Sequence, residues 1–106
     1  MKLENRIAII TGGGRGIGRS TALAFAKEGA DIVLAARTDT EITAVAEEVK
    51  ALGRRALAIA TDIQLKADVD TMVARTLDTF GRVDILVNNT TKHLSLIHIS
   101  EPTRPY

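Results

Sequence analysis

The residues with the plainest chemical meaning are Thr11-Gly12-Gly13-Gly14-Arg15-Gly16-Ile17-Gly18. Glycine adopts positive φ cheaply and lets a ligand approach the backbone closely. A turn of this kind that opens a helix gathers free N–H groups and the positive end of the helix dipole at one point. A pyrophosphate is the natural guest there. The segment leaves an apolar run and enters a helical pattern, which is the context a dinucleotide loop needs. The plainer alternative is a flexible turn with no ligand.

A second phosphate chemistry competes for the same residues. Gly13 to Ser20 reads G-x-x-x-x-G-Arg-Ser, one residue away from a P-loop. A P-loop needs lysine at that place, because its compact ammonium reaches the β- and γ-phosphates. Arg19 is bulkier and forked, so a P-loop-like NTPase is the weaker reading.

These residues need a scaffold, and the chain predicts one. Residues 6–11 (RIAIIT) form a short apolar run rich in β-branched residues, read as a buried strand. A helix follows over about 16–28, with Ile17, Thr21, Ala24 and Phe25 expected on its apolar face. Gly29 stops it. Residues 31–36 (DIVLAA) are the second strand. Thr38 and Glu41 match a capping box that opens the second helix. Ile42, Val45, Ala46, Val49 and Leu52 mark its apolar face, and Gly53 closes it. Residues 55–61 read as the third strand. Val69, Met72, Val73, Thr76, Leu77 and Phe80 give the third helix, stopped by Gly81. Residues 83–88 read as the fourth strand. All four strands are apolar runs rather than alternating patterns, which suits a parallel sheet covered on both faces. The expected fold class is α/β: a four-stranded parallel sheet of order 3-2-1-4 with three helices, a partial Rossmann fold.

Composition narrows the rest. The chain has 106 residues, enough for one small domain. Hydrophobic residues make up 45% and charged residues 25%, so there is apolar mass to offset chain entropy. Fourteen Lys and Arg against 13 Asp and Glu leave a net charge of +1, with no basic excess that would argue for nucleic acid. Aromatics at 3% are too few for a base-stacking surface. No cysteine is present, which excludes a disulfide scaffold and a thiolate metal site. No apolar run is long enough to span a membrane, and MKLENR lacks a signal-peptide core, so the expected location is cytoplasmic.

At this point the motifs resemble a known family. TGGGRGIG fits the T-G-x-x-x-G-x-G signature of the short-chain dehydrogenase/reductases. Asp62 after the third strand and Asn88-Asn89 after the fourth fit two further family positions. The chain looks most similar to the branch of 3-oxoacyl-[acyl-carrier-protein] reductases and related sugar and alcohol dehydrogenases. The resemblance covers residues 1–90. It implies that Gly12, Gly14, Gly16 and Gly18 shape a pyrophosphate loop, with Ile17 adding a backbone N–H. It implies that Asp62 bonds the adenine amino group, with Ile63 beside the ring. Asn89 would lie near the cofactor ribose, and Asn88 would brace the central strand. A plainer role for Asp62 is the N-cap of the third helix; for the asparagines it is a polar strand end.

The choice of cofactor has its own physical argument. NAD-specific folds place an acid about 20 residues after the loop, on the ribose 2′-hydroxyl. Here the second strand ends in Ala36 and is followed by Arg37. A 2′-phosphate suits Arg37 through forked, charge-assisted bonds, and Arg15 could flank it. The expectation is NADP rather than NAD. Two solvated surface arginines are the alternative.

The family resemblance also implies what this chain lacks. Family members carry out hydride transfer with a Ser and a Tyr-x-x-x-Lys pair, the lysine lowering the tyrosine pKa. The only tyrosine here is Tyr106, the last residue, and the motif after the fourth strand reads Asn88-Asn89-Thr90-Thr91. No catalytic residue is assigned. Residues 91–106 are neither helix-periodic nor strand-like and are expected to be non-native or disordered. Leu94 to Arg104 (LSLIHISEPTR) resembles a one-frame translation of a transposase adapter used in DNA library preparation. On that reading His93 and His98 have no function, and no metal site is expected.

The sequence thus points to residues 1–90 as a dinucleotide-binding half domain. The parent would be an NADP-dependent oxidoreductase acting on a small carbonyl or secondary alcohol, as a homo-oligomer. A non-catalytic dinucleotide-binding module is the alternative. Ile85, Leu86 and Val87 are expected to leave an uncovered apolar edge, with marginal stability as the consequence.

Overall fold

A computed structural model of the chain describes residues 2–12, 16–88 and 104–105. The elements run β1 (Ile7–Thr11), α1 (Gly16–Lys27), β2 (Asp31–Ala36), α2 (Asp39–Ala51), β3 (Ala56–Ala60), α3 (Lys66–Phe80), β4 (Ile85–Asn88) and β5 (Arg104–Pro105). The sheet order is β3-β2-β1-β4-β5, so the expected 3-2-1-4 arrangement with three helices is present. Every pairing is parallel.

Side-chain alternation divides the core between the two faces of this sheet. Ala8 and Ile10 of β1, Ile32 and Leu34 of β2, and Ile85 and Val87 of β4 pack with Ala22 and Ala26 of α1 and Ile42, Val45 and Val49 of α2. Ile7, Ile9, Val33, Ala35 and Ile59 face the other way, onto Met72 of α3. Apolar runs result because the central strands are buried on both sides. All five residues of β1 are buried.

Several expectations change in detail. The fully buried residues of α1 are Gly18, Ala22 and Ala26; of the expected face, Phe25 is half-buried against the core and Thr21 is half-buried, while Ile17 and Ala24 are exposed. Small residues let the helix lie close to the sheet, Leu23 and Phe25 pack at the margin of the core, and Ile17 is turned outward at 74% exposure. Leu52, placed on the face of α2, is instead its exposed C-cap, while Ile42, Val45, Ala46 and Val49 are buried as expected. Thr38 occupies the N-cap of α2 with an extended backbone, but its hydroxyl makes no cap hydrogen bond. The helix α3 begins at Lys66 with Leu65 at its N-cap. Asp62 therefore does not cap it.

The outer strand also differs from expectation. Ile85 and Val87 are each only 4% exposed, so these two side chains do not form an uncovered apolar edge. Within the segment read as non-native or disordered, Arg104 and Pro105 pair with Ile85 and Leu86. A proline's missing N–H is tolerated at such a sheet margin.

Candidate functional site

Register fixes where the candidate residues emerge. Thr11 lies opposite Ala35 on one side and opposite Asn88 on the other. Ala36 lies opposite Ala60. The C-terminal ends of β1, β2, β3 and β4 therefore share one edge of the sheet. Gly12, Arg37, Asp62 and Asn88 all stand at it. Strand order reverses between β1 and β4 at this edge, which is where open α/β sheets bind ligands.

The first turn is built by two unusual backbone conformations. Gly12 has φ 67 and donates its N–H to the Ala35 carbonyl at 2.8 Å. Gly16, the first residue of α1, has φ 45. A Cβ added at Gly16 would meet nothing within 4 Å, so space beside this backbone is open. The first turn of α1 contains no acidic residue. By contrast, α2 carries Asp39 and Glu41 there, and α3 carries Asp68. The positive end of α1 is thus left without a carboxylate of its own, as an anion site requires. These features fit a dinucleotide pyrophosphate. Gly18, buried beneath this turn, allows the close helix–strand packing that such loops need. Gly14, Arg15 and Asn89 lie outside the described residues.

Around this turn the other candidates take distinct roles. Thr11, fully buried, has its hydroxyl 3.3 Å from both the Val87 carbonyl and the Asn88 Oδ1. Asn88 thereby joins β4 to β1 at the edge of the crevice. Arg37 is exposed immediately after β2. Asp62 accepts the Gln64 N–H at 2.9 Å, and its own N–H donates to Asp68 Oδ2 at 2.9 Å. The carboxylate keeps further acceptor capacity beyond that one bond. Ile63 is half-buried beside it.

Arg19 has another partner. Its Nε donates to Glu48 Oε1 at 3.0 Å, and its Nη2 donates to Oε2 of the same carboxylate. The hydrogen bond from Arg19 holds the Glu48 carboxyl below the usual carboxylate range, and the same contact raises the arginine. The residue that would stand for a P-loop lysine is therefore bonded to α2.

The opposite edge holds features the sequence reading did not single out. Asp31 is 1% exposed and takes bonds from both the backbone and the guanidinium of Arg55. Arg54 also approaches it, at 3.2 Å. A charge at the head of an apolar strand, with a downstream Arg-Arg pair, was the available signal. Asp84 accepts the Ile7 N–H at 2.8 Å and bonds Arg82. Among the described residues no group of His, Cys, Asp or Glu could hold a metal, and no helix is long and apolar enough to cross a membrane.

The sheet order, the glycine turn and the residues at one strand edge define a nucleotide-binding fold of Rossmann type. The family model described as short chain dehydrogenase matches residues 6–103. This chain belongs to the short-chain dehydrogenase family, whose members are oxidoreductases. It is 46% identical over 88 residues to an uncharacterized oxidoreductase of Mycobacterium tuberculosis, covering 83% of this chain and 34% of that protein. It is 41% identical over 88 residues to a 3-oxoacyl-[acyl-carrier-protein] reductase of Synechocystis, covering 82% and 36%. The chain thus spans about a third of these relatives. A short-chain dehydrogenase/reductase homolog of Bacillus subtilis is 36% identical over 106 residues, with 97% of both chains covered. Among solved structures, a metagenomic short-chain oxidoreductase in complex with NADP has TM-score 0.81 at 34% identity, covering 85% of this chain and 41% of that one. A xylitol dehydrogenase bound to NAD+ has TM-score 0.83 at 29% identity, covering 85% and 35%. A nicotinamide dinucleotide is common to both, and the two differ in the 2′-phosphate.

Proposed function

We propose that this chain is the N-terminal cofactor-binding part of an NADP-dependent short-chain oxidoreductase, ending before the catalytic residues. The observation that carries the NADP reading is Arg37: a cation stands exposed directly after β2, where an NAD-specific fold has an acid. The free N–H groups at the start of α1 bind the pyrophosphate. Arg37 pairs with the 2′-phosphate, with Arg15 flanking it. Asp62 accepts from the adenine amino group, and Ile63 covers the ring. Asn89 contacts the ribose, while Asn88 holds β4 to β1. The bound nicotinamide supplies hydride transfer to or from a carbonyl or secondary alcohol in the parent protein. The parent is a cytoplasmic homo-oligomer with a small-molecule substrate, and it binds neither nucleic acid nor membrane. This chain contains no Tyr-x-x-x-Lys and is inactive alone; the resemblance of the segment from Leu94 to translated adapter sequence supports an origin of that segment outside the parent gene.

The test is a calorimetric titration of the 106-residue chain and its Arg37→Asp variant with NADPH and NADH. The chain binds NADPH more tightly. The substitution weakens NADPH about tenfold or more, the worth of one charge-assisted contact, and leaves NADH nearly unchanged. Equal losses for both cofactors would refute the assignment. A lack of turnover in this chain, with turnover in a gene product resequenced through codons 88–106, would support the division at residue 90.

A further inference from the structure

The ion pair between Arg19 and Glu48 is placed where stability alone does not explain its geometry. Arg19 lies in the first turn of α1, three residues after Gly16. Glu48 lies in α2, 29 residues further on. The contact is fork-to-fork, and both partners are partly exposed, at 49% and 38%. Exposed pairs contribute little to folding as a rule, and bidentate arginine–carboxylate geometry is the exception that fixes orientation. A cation in the first turn also opposes the helix dipole, so Arg19 is no asset to α1 by itself. Glu48 offsets that charge and draws the guanidinium sideways, onto α2.

The two helices joined in this way carry the two ends of the proposed phosphate site. The first N–H groups of α1, which have no acceptor within the helix, lie at one end, and Arg37, two residues before α2, lies at the other. Beneath the first turn, Gly18 is buried and offers no side chain to interlock with its surroundings. Ala22 and Ala26, further along α1, share a buried cluster with Ile42, Val45 and Val49 of α2, and the Arg19–Glu48 pair adds a lateral tie at the first turn itself.

We propose that the Arg19–Glu48 pair positions the phosphate-binding turn, holding the start of α1 in register with α2, and that Arg19 itself does not contact the phosphate. This rests on the dinucleotide reading above for its ligand readout. Arg19 and Glu48 are positioning residues. Preorganised donors lose affinity when they must be ordered on binding.

The experiment compares the 106-residue chain with Glu48→Gln, Arg19→Gln and the swapped double variant Arg19→Glu/Glu48→Arg. Two readouts are taken: dinucleotide affinity by titration, and hydrogen exchange of the Ser20 to Ala22 amides without ligand. Those amides bond to the carbonyls of the first turn of α1. Positioning predicts that Glu48→Gln weakens NADPH about fivefold, in the range of pairwise coupling between contacting groups. It also predicts faster exchange at Ser20 to Ala22, with both effects restored in the swapped variant. Direct phosphate contact by Arg19 predicts the reverse sign: Glu48→Gln frees the cation and tightens binding, while the swap stays weak. That outcome overturns the proposal. Unchanged exchange in Glu48→Gln overturns it as well, whatever the ligand does. Accelerated exchange rescued by the swap, in a chain that binds no dinucleotide, upholds the tie and removes the cofactor reading instead.

Discussion

The Asp31 carboxylate, at the head of β2, holds the head of β3 through one residue, Arg55. Its Oδ1 accepts the Arg55 backbone N–H at 3.0 Å, and its Oδ2 accepts Nε at 3.0 Å and Nη2 at 2.7 Å. The same guanidinium lies 4.7 Å over the Phe80 ring at the end of α3. One buried acid thus joins two strands and, through Arg55, the helix beneath them. Asp31→Ala removes three acceptor contacts and leaves the part-buried Arg54 without its counter-ion. A loss of about 2–4 kcal/mol in urea denaturation is expected. Arg55→Ala keeps the backbone bond and loses an exposed cation, so about 1 kcal/mol is expected.

Gly16 separates strain from space. Its φ of 45 disfavours any Cβ, yet nothing lies within 4 Å of where that Cβ would be. Gly16→Ala should cost about 1 kcal/mol of folding stability. On the proposed dinucleotide reading it should also weaken NADPH more than tenfold, because the methyl would fill space the pyrophosphate needs. Gly53→Ala is the control. Gly53 has φ 87 and is equally open, but it ends α2 at the far edge. A similar stability loss with unchanged affinity is expected there, from parallel melts and titrations.

Much of this arrangement was legible because the strands are buried on both faces. Apolar runs such as DIVLAA mark both the strand and its depth, and β2 matches its expected bounds at residues 31–36. The glycine turn was legible because few other residues serve there. Side-chain geometry was less accessible. The spacing of Thr38 and Glu41 located the start of α2, but spacing does not set the rotamer, and the Thr38 hydroxyl makes no cap bond. Asp31 illustrates a further limit: its partners, Arg54 and Arg55, lie more than 20 residues away and are joined only by strand pairing. Asp62 shows the same limit in a turn, where Asp68 takes its N–H and the helix starts four residues later.

The face of α1 is the clearest difference, and it makes a prediction. Hydrophobic periodicity weights Ile17 above alanine and glycine, so it placed inside a side chain that the structure leaves exposed, while Phe25 packs only at the margin of the core. Close helix–sheet approach selects small residues instead, and Gly18, Ala22 and Ala26 are buried. Ala22→Leu inserts three heavy atoms where exposure is 0% and should cost about 1–3 kcal/mol or more. Ile17→Ser, at 74% exposure, should change stability by less than about 0.5 kcal/mol. Denaturant midpoints of the two variants decide between the faces.

Asp84 gives the fold a defined acid limb. Burial by itself would push its carboxyl up. Hydrogen bonds from Arg82 and the Ile7 N–H, with the charges of Arg82 and Arg6, outweigh that and hold it below the usual carboxylate range. A depressed folded value means the unfolded chain takes up the proton first as pH falls. The contribution is therefore complete above the unfolded value, near 3.8, and is lost as pH drops through the folded one. Arg6 and Arg82 are about half exposed, so solvent screening limits the effect to about 1 kcal/mol. Asp84→Asn should be less stable than the parent chain at pH 7 by about that amount. The gap should narrow as pH falls from about 4 to 2 in urea titrations at each pH. A constant gap across that window would assign the role of Asp84 to its shape and its bond to Ile7 rather than to its charge.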